Sequence, residues 1–294
     1  MHEIDGFDGD CSDTFALGLR ENVFVKKALG EEDEGREAGG FEEKSHLVFS
    51  PRCNFRCQFC FYGGRINDNE GVDLDGFVEV VNYTLTEFSA LVDRFMMSGK
   101  SFKFTGGEIT LLRNLEVLLK VVKSRGGIIY MDTNGSRPKR VLELVREGLV
   151  DVLGISLKGL DEEEALRNSG IRNPNLVWRN PLESIRESVI ENSKLVVPVT
   201  FVVDNESLSM DRLRRFADLL GELDSDVGGQ IRMKVNNYMP TDFTGDTRTP
   251  VDLDLLLDMV SSLVEEKPEW VGRTSVMSSP SFGFSQGQDS VTHF

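Results

Sequence analysis

From His46 onward the chain alternates short β-branched or apolar runs with longer segments of helical period, and this rhythm sharply limits the folds open to it. Residues 46–50, 101–105, 128–133, 150–157, 194–203 and 231–236 read as strands. Helical patterns cover 75–97, 113–125, 138–148, 161–167 with 182–192, 209–223 and 252–266. Pro250 and Pro268 bracket the last as start and stop signals. Strands separated by helices of this length need crossover connections, so the sheet should be mostly parallel. Six such units predict an α/β domain curled into a partial parallel (β/α)6 barrel. In parallel α/β folds ligands sit at the carboxyl ends of the strands, so polar motifs just after a strand are the first candidates for function.

The flanks break the rhythm. Residues 1–45 are polar and acidic around Gly30-Glu31-Glu32-Asp33-Glu34-Gly35-Arg36-Glu37, and read as a partly ordered acidic extension with one apolar anchor at 15–25. The barrel is assigned 46–272. The tail, 273–294, is rich in Ser and Gly and carries Phe282, Phe284 and Phe294. It is either a disordered end or a segment folded back over the barrel mouth on its aromatics.

Charge excludes one class of function. With 33 Lys+Arg against 49 Asp+Glu the formal charge is −16. Nucleic-acid binders draw most of their affinity from Lys and Arg on phosphates, and the basic cluster Arg137-Pro138-Lys139-Arg140 is short, so no nucleic-acid partner is expected. No run approaches the roughly 18–20 apolar residues that span a bilayer, so no membrane partner is expected. The opening MHEIDGFDGD is acidic where a secretion signal is basic and then apolar, which makes the cytoplasm the expected location.

Three of the four cysteines fall within eight residues, Cys53-Asn-Phe-Arg-Cys57-Gln-Phe-Cys60, directly after the first predicted strand. Such clustering in an intracellular chain indicates metal binding or catalysis rather than crosslinking. Three thiolates on one loop can hold three irons of a [4Fe–4S] cluster and leave the fourth iron open. The alternative is a zinc site, whose fourth ligand would be Cys11, a histidine or a carboxylate from elsewhere. His2, His46 and His293 are the only histidines, and none lies at zinc-finger spacing.

Other strand ends also carry polar motifs. Thr105-Gly106-Gly107-Glu108 is either a turn or a close backbone approach to a ligand, since paired glycines permit positive φ. Asp132-Thr133-Asn134-Gly135 contains an ordinary Asn-Gly turn signal at a strand end. In Ser156-Leu157-Lys158, alternation puts Ser156 and Lys158 on one face, and a lysine pointing into a barrel mouth calls for an anionic partner. Asn236-Asn237-Tyr238-Met239-Pro240 is a proline-containing turn or a ligand contact.

The C-x3-C-x-aromatic-C loop resembles the signature of the radical S-adenosylmethionine (SAM) superfamily, and further matches extend over about residues 46–240. The resemblance implies that Cys53, Cys57 and Cys60 hold a [4Fe–4S] cluster whose open iron binds the methionine end of SAM. It implies reductive cleavage of SAM to a 5′-deoxyadenosyl radical that abstracts a substrate hydrogen, with an external electron donor such as flavodoxin or ferredoxin. Phe59 matches the aromatic that packs by the adenine. Gly106, Gly107 and Glu108 look like the family's GGE motif, which receives the SAM ammonium, with Ile109 where proline is usual. Residues 131–135 are similar to the LDTNG stretch of the pyruvate formate-lyase activating enzymes, where Asp132 and Thr133 would line the SAM site. Lys158 matches their D-x-K lysine, a partner for the SAM carboxylate. Ser156 replaces their aspartate and would reach a ribose hydroxyl. Residues 161–170 resemble their D-x-E-x-H-R-x-x-T-G segment, while Thr200 falls where they carry a SAM-binding arginine. Asn236 and Tyr238 sit where the superfamily contacts adenine.

These matches imply an enzyme acting on a peptide, a protein or a small molecule. One alternative is a protein that activates a glycyl radical enzyme. From another class, a non-catalytic zinc-binding interaction domain remains open. Cys11 has no CxxC partner, so an auxiliary cluster is not expected; it is an incidental thiol or a hydrogen donor of the kind some peptide epimerases in the superfamily use.

Overall fold

The computed structural model describes residues 14–26, 42–50, 52–57, 59–60, 80–225, 228–239, 248–277 and 291–294. Cys11, the acidic run 30–37, Phe282 and Phe284 lie outside the described residues.

The parallel core starts at β2 (Glu42–Ser50) and continues through β4 (Ser101–Gly106), β5 (Ile128–Thr133), β6 (Val152–Ser156), β7 (Val197–Val203), β8 (Ile231–Asn237) and β9 (Thr274–Met277), each parallel to the next. Helices lie on every connection: α1 (Leu85–Phe95), α2 (Leu115–Lys123), α3 (Pro138–Arg146), α4 (Glu162–Ser169) with α5 (Asn180–Glu191), α6 (Met210–Asp224) and α7 (Leu253–Glu266). The six predicted strand–helix units are all present, and β9 adds a seventh parallel strand. Three antiparallel strands lengthen the sheet: β1 (Thr14–Lys26) on β2, β3 (Val80–Thr84) on β1, and β10 (Val291–His293) on β9. The order β10-β9-β8-β7-β6-β5-β4-β2-β1-β3 leaves the sheet unclosed, a partial barrel.

Two predicted segments are corrected. The helix expected over 75–97 starts only at Leu85, because Thr84 and Glu87 form a reciprocal capping box and the β-branched residues before it pair with β1. The opening of the presumed tail is β9, whose Val276 is fully buried. At the chain's end, Phe294 packs against the core and its N–H donates to the Thr274 carbonyl at 3.1 Å.

The two faces of each strand divide the labour. Phe102 and Phe104, Ile129 and Met131, Leu153 and Ile155, Val199 and Phe201, and Met233 and Val235 pack into one core with Leu119, Val122, Val141, Ile185, Leu213, Phe216, Leu256 and Val260 of the helices. Period-two alternation then forces the intervening residues, Lys103, Asp132, Ser156, Thr200 and Lys234, to the opposite, concave side. There they line one cavity.

Candidate active site

The cysteine loop leaves β2 and is tied to three neighbours. Gly107 N–H donates to the Ser50 carbonyl at 2.8 Å and Glu108 N–H to the Arg52 carbonyl at 2.6 Å, which fastens the loop's root to the end of β4. Asn54 donates to Ser136 Oγ at 2.9 Å and accepts from Asn134 Nδ2 at 2.8 Å, joining the loop to the end of β5. Arg56 N–H donates to the Ser169 carbonyl at 2.8 Å, and Phe55 is buried with Ala165 and Val177.

Cys53, Cys57 and Cys60 are free thiols on the cavity wall. Burial pushes the Cys53 thiol up to about 12; the Phe55 N–H opposes this, while the charges of Glu108 and of the other two cysteines add to it. Burial also raises Cys57, against the pull of the Lys158 ammonium and with the push of Cys60. Thiolates crowded in this way repel one another, and bound iron cations would replace the protons and remove that repulsion. Among the described residues no three His, Cys, Asp or Glu side chains close round a single ion position.

Phe59, Gly106, Gly107, Asp132, Thr133, Ser156, Lys158 and Asn236 line the same cavity. Gly106 has φ of +106°, and a Cβ there would stand 2.6 Å from the Ser50 carbonyl oxygen, so no other residue fits at this close approach of β4 to β2. Lys158 lies 5.5 Å from the Phe59 ring centre, and no ion-pair partner stands against it among the described residues. Asn236 Oδ1 is buried without a hydrogen-bond partner among the described residues. An orphaned acceptor, an aromatic ring and an ammonium without an ion pair among the described residues, all on one cavity wall, suit a ligand that brings donors, a flat base and a carboxylate, as SAM does.

Two expected contacts are placed elsewhere. Glu108 is fully buried and absent from the cavity wall; its carboxylate accepts from Thr110 N–H and Oγ1, Thr133 Oγ1 and Asn134 N–H. It therefore holds the ends of β4 and β5 together. Tyr238 is buried behind the wall, its N–H donating to the Val203 carbonyl at 2.7 Å. Arg248 stacks over it at 5.2 Å and over Phe59 at 5.3 Å.

Sequence reasoning missed Lys103 and Lys234. Lys103 Nζ is 2.9 Å from Asp132 Oδ2, which also accepts from Thr105 Oγ1 at 3.1 Å. Desolvation lowers Lys234 to about 8, aided by the like charge of Lys103 and opposed by Asp132. Burial, then the charge and hydrogen bond of Asp132, hold the Tyr130 phenol well above its ordinary value.

Residues 47–217, more than half of the chain, match the radical SAM superfamily. The chain belongs to that superfamily. It is an enzyme of the superfamily, and its cofactors are a [4Fe–4S] cluster and SAM. The zinc-binding interaction domain is thereby set aside.

Among relatives, the chain is 29% identical over 123 residues to a GTP 3′,8-cyclase of Xanthomonas campestris pv. campestris, covering 41% of this chain and 35% of that one. A glycyl-radical enzyme activating enzyme homologue of Methanocaldococcus jannaschii is 31% identical over 130 residues, covering 41% of this chain and 44% of that one. The match thus spans less than half the length of either relative. Among solved structures, Streptococcus suis SuiB bound to SAM superposes with a TM-score of 0.60 at 17% identity, over 79% of this chain and 50% of that one. A radical SAM methyltransferase from Sphaerobacter thermophilus gives 0.58 at 14% identity, over 84% and 70%. These likenesses show the fold.

Proposed function

We propose that Cys53, Cys57 and Cys60 carry the cluster and that SAM lies along the strand ends. In this reading the strand-end glycines Gly106 and Gly107 allow close backbone approach, Lys158 meets the carboxylate of SAM, and Phe59 with Asn236 receives the base. Asp132, Thr133 and Ser156 line the remainder of the SAM site, and Glu108 acts from behind the wall by fixing Thr133 and Asn134. When bound, the cluster supplies the electron that cleaves SAM to the radical that abstracts a substrate hydrogen. The protein's part is to orient SAM and substrate and to exclude water.

The observation that carries this reading is the convergence, on one cavity, of three free thiols, the unpaired Lys158 and the orphaned Asn236 oxygen. The substrate is a peptide, a protein or a small molecule, the electron donor is an external flavodoxin or ferredoxin, and the chain works in the cytoplasm. The Methanocaldococcus jannaschii relative and the Asp132-Thr133-Asn134-Gly135 end of β5 favour a protein substrate carrying a glycyl radical site. Thr200 and Ser156 stand against close kinship with that group.

Anaerobic reconstitution tests the reading. Wild-type protein should bind about four irons and four sulfides per chain and release 5′-deoxyadenosine with dithionite and SAM, and Cys57→Ala should do neither. Lys158→Ala should assemble the cluster but bind SAM more weakly. Zinc in place of iron, or no 5′-deoxyadenosine, would refute it.

A further inference from the structure

We propose that the inner wall of the barrel, where Lys234 of β8 and Lys103 of β4 face Asp132 of β5, seats an anionic group of the substrate, a carboxylate or a phosphate. The inference rests on the reading of this cavity as the SAM site and concerns its deeper part.

The strand register builds the seat. Lys234 stands beside Thr200 and Thr200 beside Ser156 in one row, and Lys103 stands beside Tyr130 in another, so ammonium, hydroxyl and phenol groups share the face of the sheet opposite the helices. Interiors of parallel barrels are ordinarily packed with branched aliphatic side chains. Here Lys103, Asp132, Ser156, Thr200 and Lys234 border open space instead.

Charge identifies what fits. Asp132 is the one carboxylate among the described residues lining the cavity, and it is committed to Lys103, Thr105 and Tyr130. Lys234 has neither a hydrogen bond nor an ion pair among the described residues, and it feels the like charge of Lys103. Among the described residues lining the cavity, three ammoniums, Lys103, Lys158 and Lys234, stand against the one carboxylate of Asp132, and Lys234 is left as a cation with no ion pair in a poorly solvated pocket. Such a cation is costly unless an anion joins it. Its depressed pKa of about 8 expresses the same deficit.

Depth sets Lys234 below the Asn236 contact with SAM, while Asp132 and Ser156 border both the seat and the SAM site. Lys234 precedes Asn236 by two residues, one pleat repeat, which sets it about 6–7 Å further from the strand ends. A substrate anchored there by its anion would extend from Lys234 towards the cysteine loop, bringing its middle to the SAM end of the cavity.

Calorimetric titration of the reconstituted, SAM-loaded protein with inorganic phosphate and, separately, with succinate tests the proposal. At least one anion should bind, the tighter of the two identifying the group. Lys234→Met should weaken it by roughly tenfold or more, the loss of one charge-assisted contact, and Lys234→Arg should recover most of the affinity. In the wild type, trinitrophenylation of Lys234 mapped by peptide mass spectrometry should slow when that anion is present, a readout that needs no variant to fold. Binding of neither anion, equal binding to Lys234→Met, or labelling of Lys234 indifferent to the anion overturns the proposal. SAM affinity in the same samples separates the two readings: failure to bind SAM refutes the SAM site, whereas SAM binding without anion binding refutes only the anion seat.

Discussion

Four donors converge on the buried carboxylate of Glu108, two from Thr110, one from Thr133 and one from the Asn134 amide. A carboxylate can accept all of them, whereas an amide presents an NH2 to at least one existing donor. Glu108→Gln should therefore lose about 1–3 kcal/mol of stability, read as a lower urea midpoint. SAM affinity should fall only as far as Thr133 and Asn134 shift. The sequence marked Glu108 as functional through its motif but could not say which way it points. Two lysines were overlooked for the converse reason. In Phe102-Lys103-Phe104 and Met233-Lys234-Val235 a lysine between apolar neighbours looks solvent-facing, yet in a curled sheet the face opposite the helices is the barrel interior. Lys234 gives a pH test. Its pKa is about 8 folded, below its ordinary value, so between those limits the unfolded chain binds more protons. The destabilisation from burying the ammonium is thus fully present below pH 8 and fades as pH rises towards the ordinary lysine value. Lys234→Met should be more stable than wild type by about 1–3 kcal/mol at pH 7, and the difference in urea unfolding should shrink above pH 8. Gly154 is a third residue with a defined task. A Cβ there would lie 2.3 Å from Asp132 Oδ1 and 2.9 Å from the Tyr130 hydroxyl. Gly154→Ala should displace the Asp132–Lys103 pair and lower the melting temperature while the cysteine loop still assembles its cluster.

At the level of elements, the segment between β6 and α5 acts as a clamp on the cysteine loop. Asp161 caps α4 by accepting from the Glu164 N–H, and buried Glu164 accepts from the Leu160 N–H and pairs with Arg212. Asn168 Nδ2 donates to the Lys158 carbonyl at 2.8 Å, so α4 also positions the strand-end lysine. The helix ends at Gly170, whose φ of +66° is the left-handed conformation. A Cβ at Gly170 would stand 2.7 Å from the Arg56 carbonyl oxygen, inside the cysteine loop. Gly170→Ala combines a left-handed penalty of about 1–2 kcal/mol with that clash. Iron content after reconstitution should drop well below that of wild type, with far-ultraviolet circular dichroism unchanged. The helices and strands of this region were readable from periodicity and capping residues. Their docking was not, because the Arg56–Ser169 contact joins residues more than a hundred positions apart and leaves no local pattern. The boundary between β3 and α1 was readable: Thr84-Leu85-Thr86-Glu87 is a capping-box signal, which a long helical period on both sides obscured.

For the molecule as a whole, the architecture keeps stability and chemistry on opposite faces of the same strands. The continuous core lies between the sheet and its helices, from Val48 through Val276, and includes no described residue of the cysteine loop. The loop packs on a separate small cluster of Phe55, Ala165 and Val177. Whole-chain alternation was enough to foresee the six units, because each strand's apolar face and each helix's stripe are local patterns. The antiparallel strands β1, β3 and β10 and the seventh parallel strand were missed, since pairing at the sheet's edges is decided by partners remote in sequence. The separation of faces predicts that folding does not depend on the cofactors. A variant with Cys53, Cys57 and Cys60 all changed to serine should melt cooperatively within about 2–4 °C of the cluster-free wild type, the equivalent of roughly 1 kcal/mol in a domain of this size. Ligand linkage should behave differently. SAM at about a hundred times its dissociation constant adds roughly 2.7 kcal/mol to a protein that binds it only when folded, so the reconstituted wild type should rise by several degrees with SAM. The triple variant, lacking the cluster to receive the methionine end, should lose most of that rise. A triple variant already unfolded at room temperature would instead make the cluster a structural keystone, and the division of faces would not describe this protein.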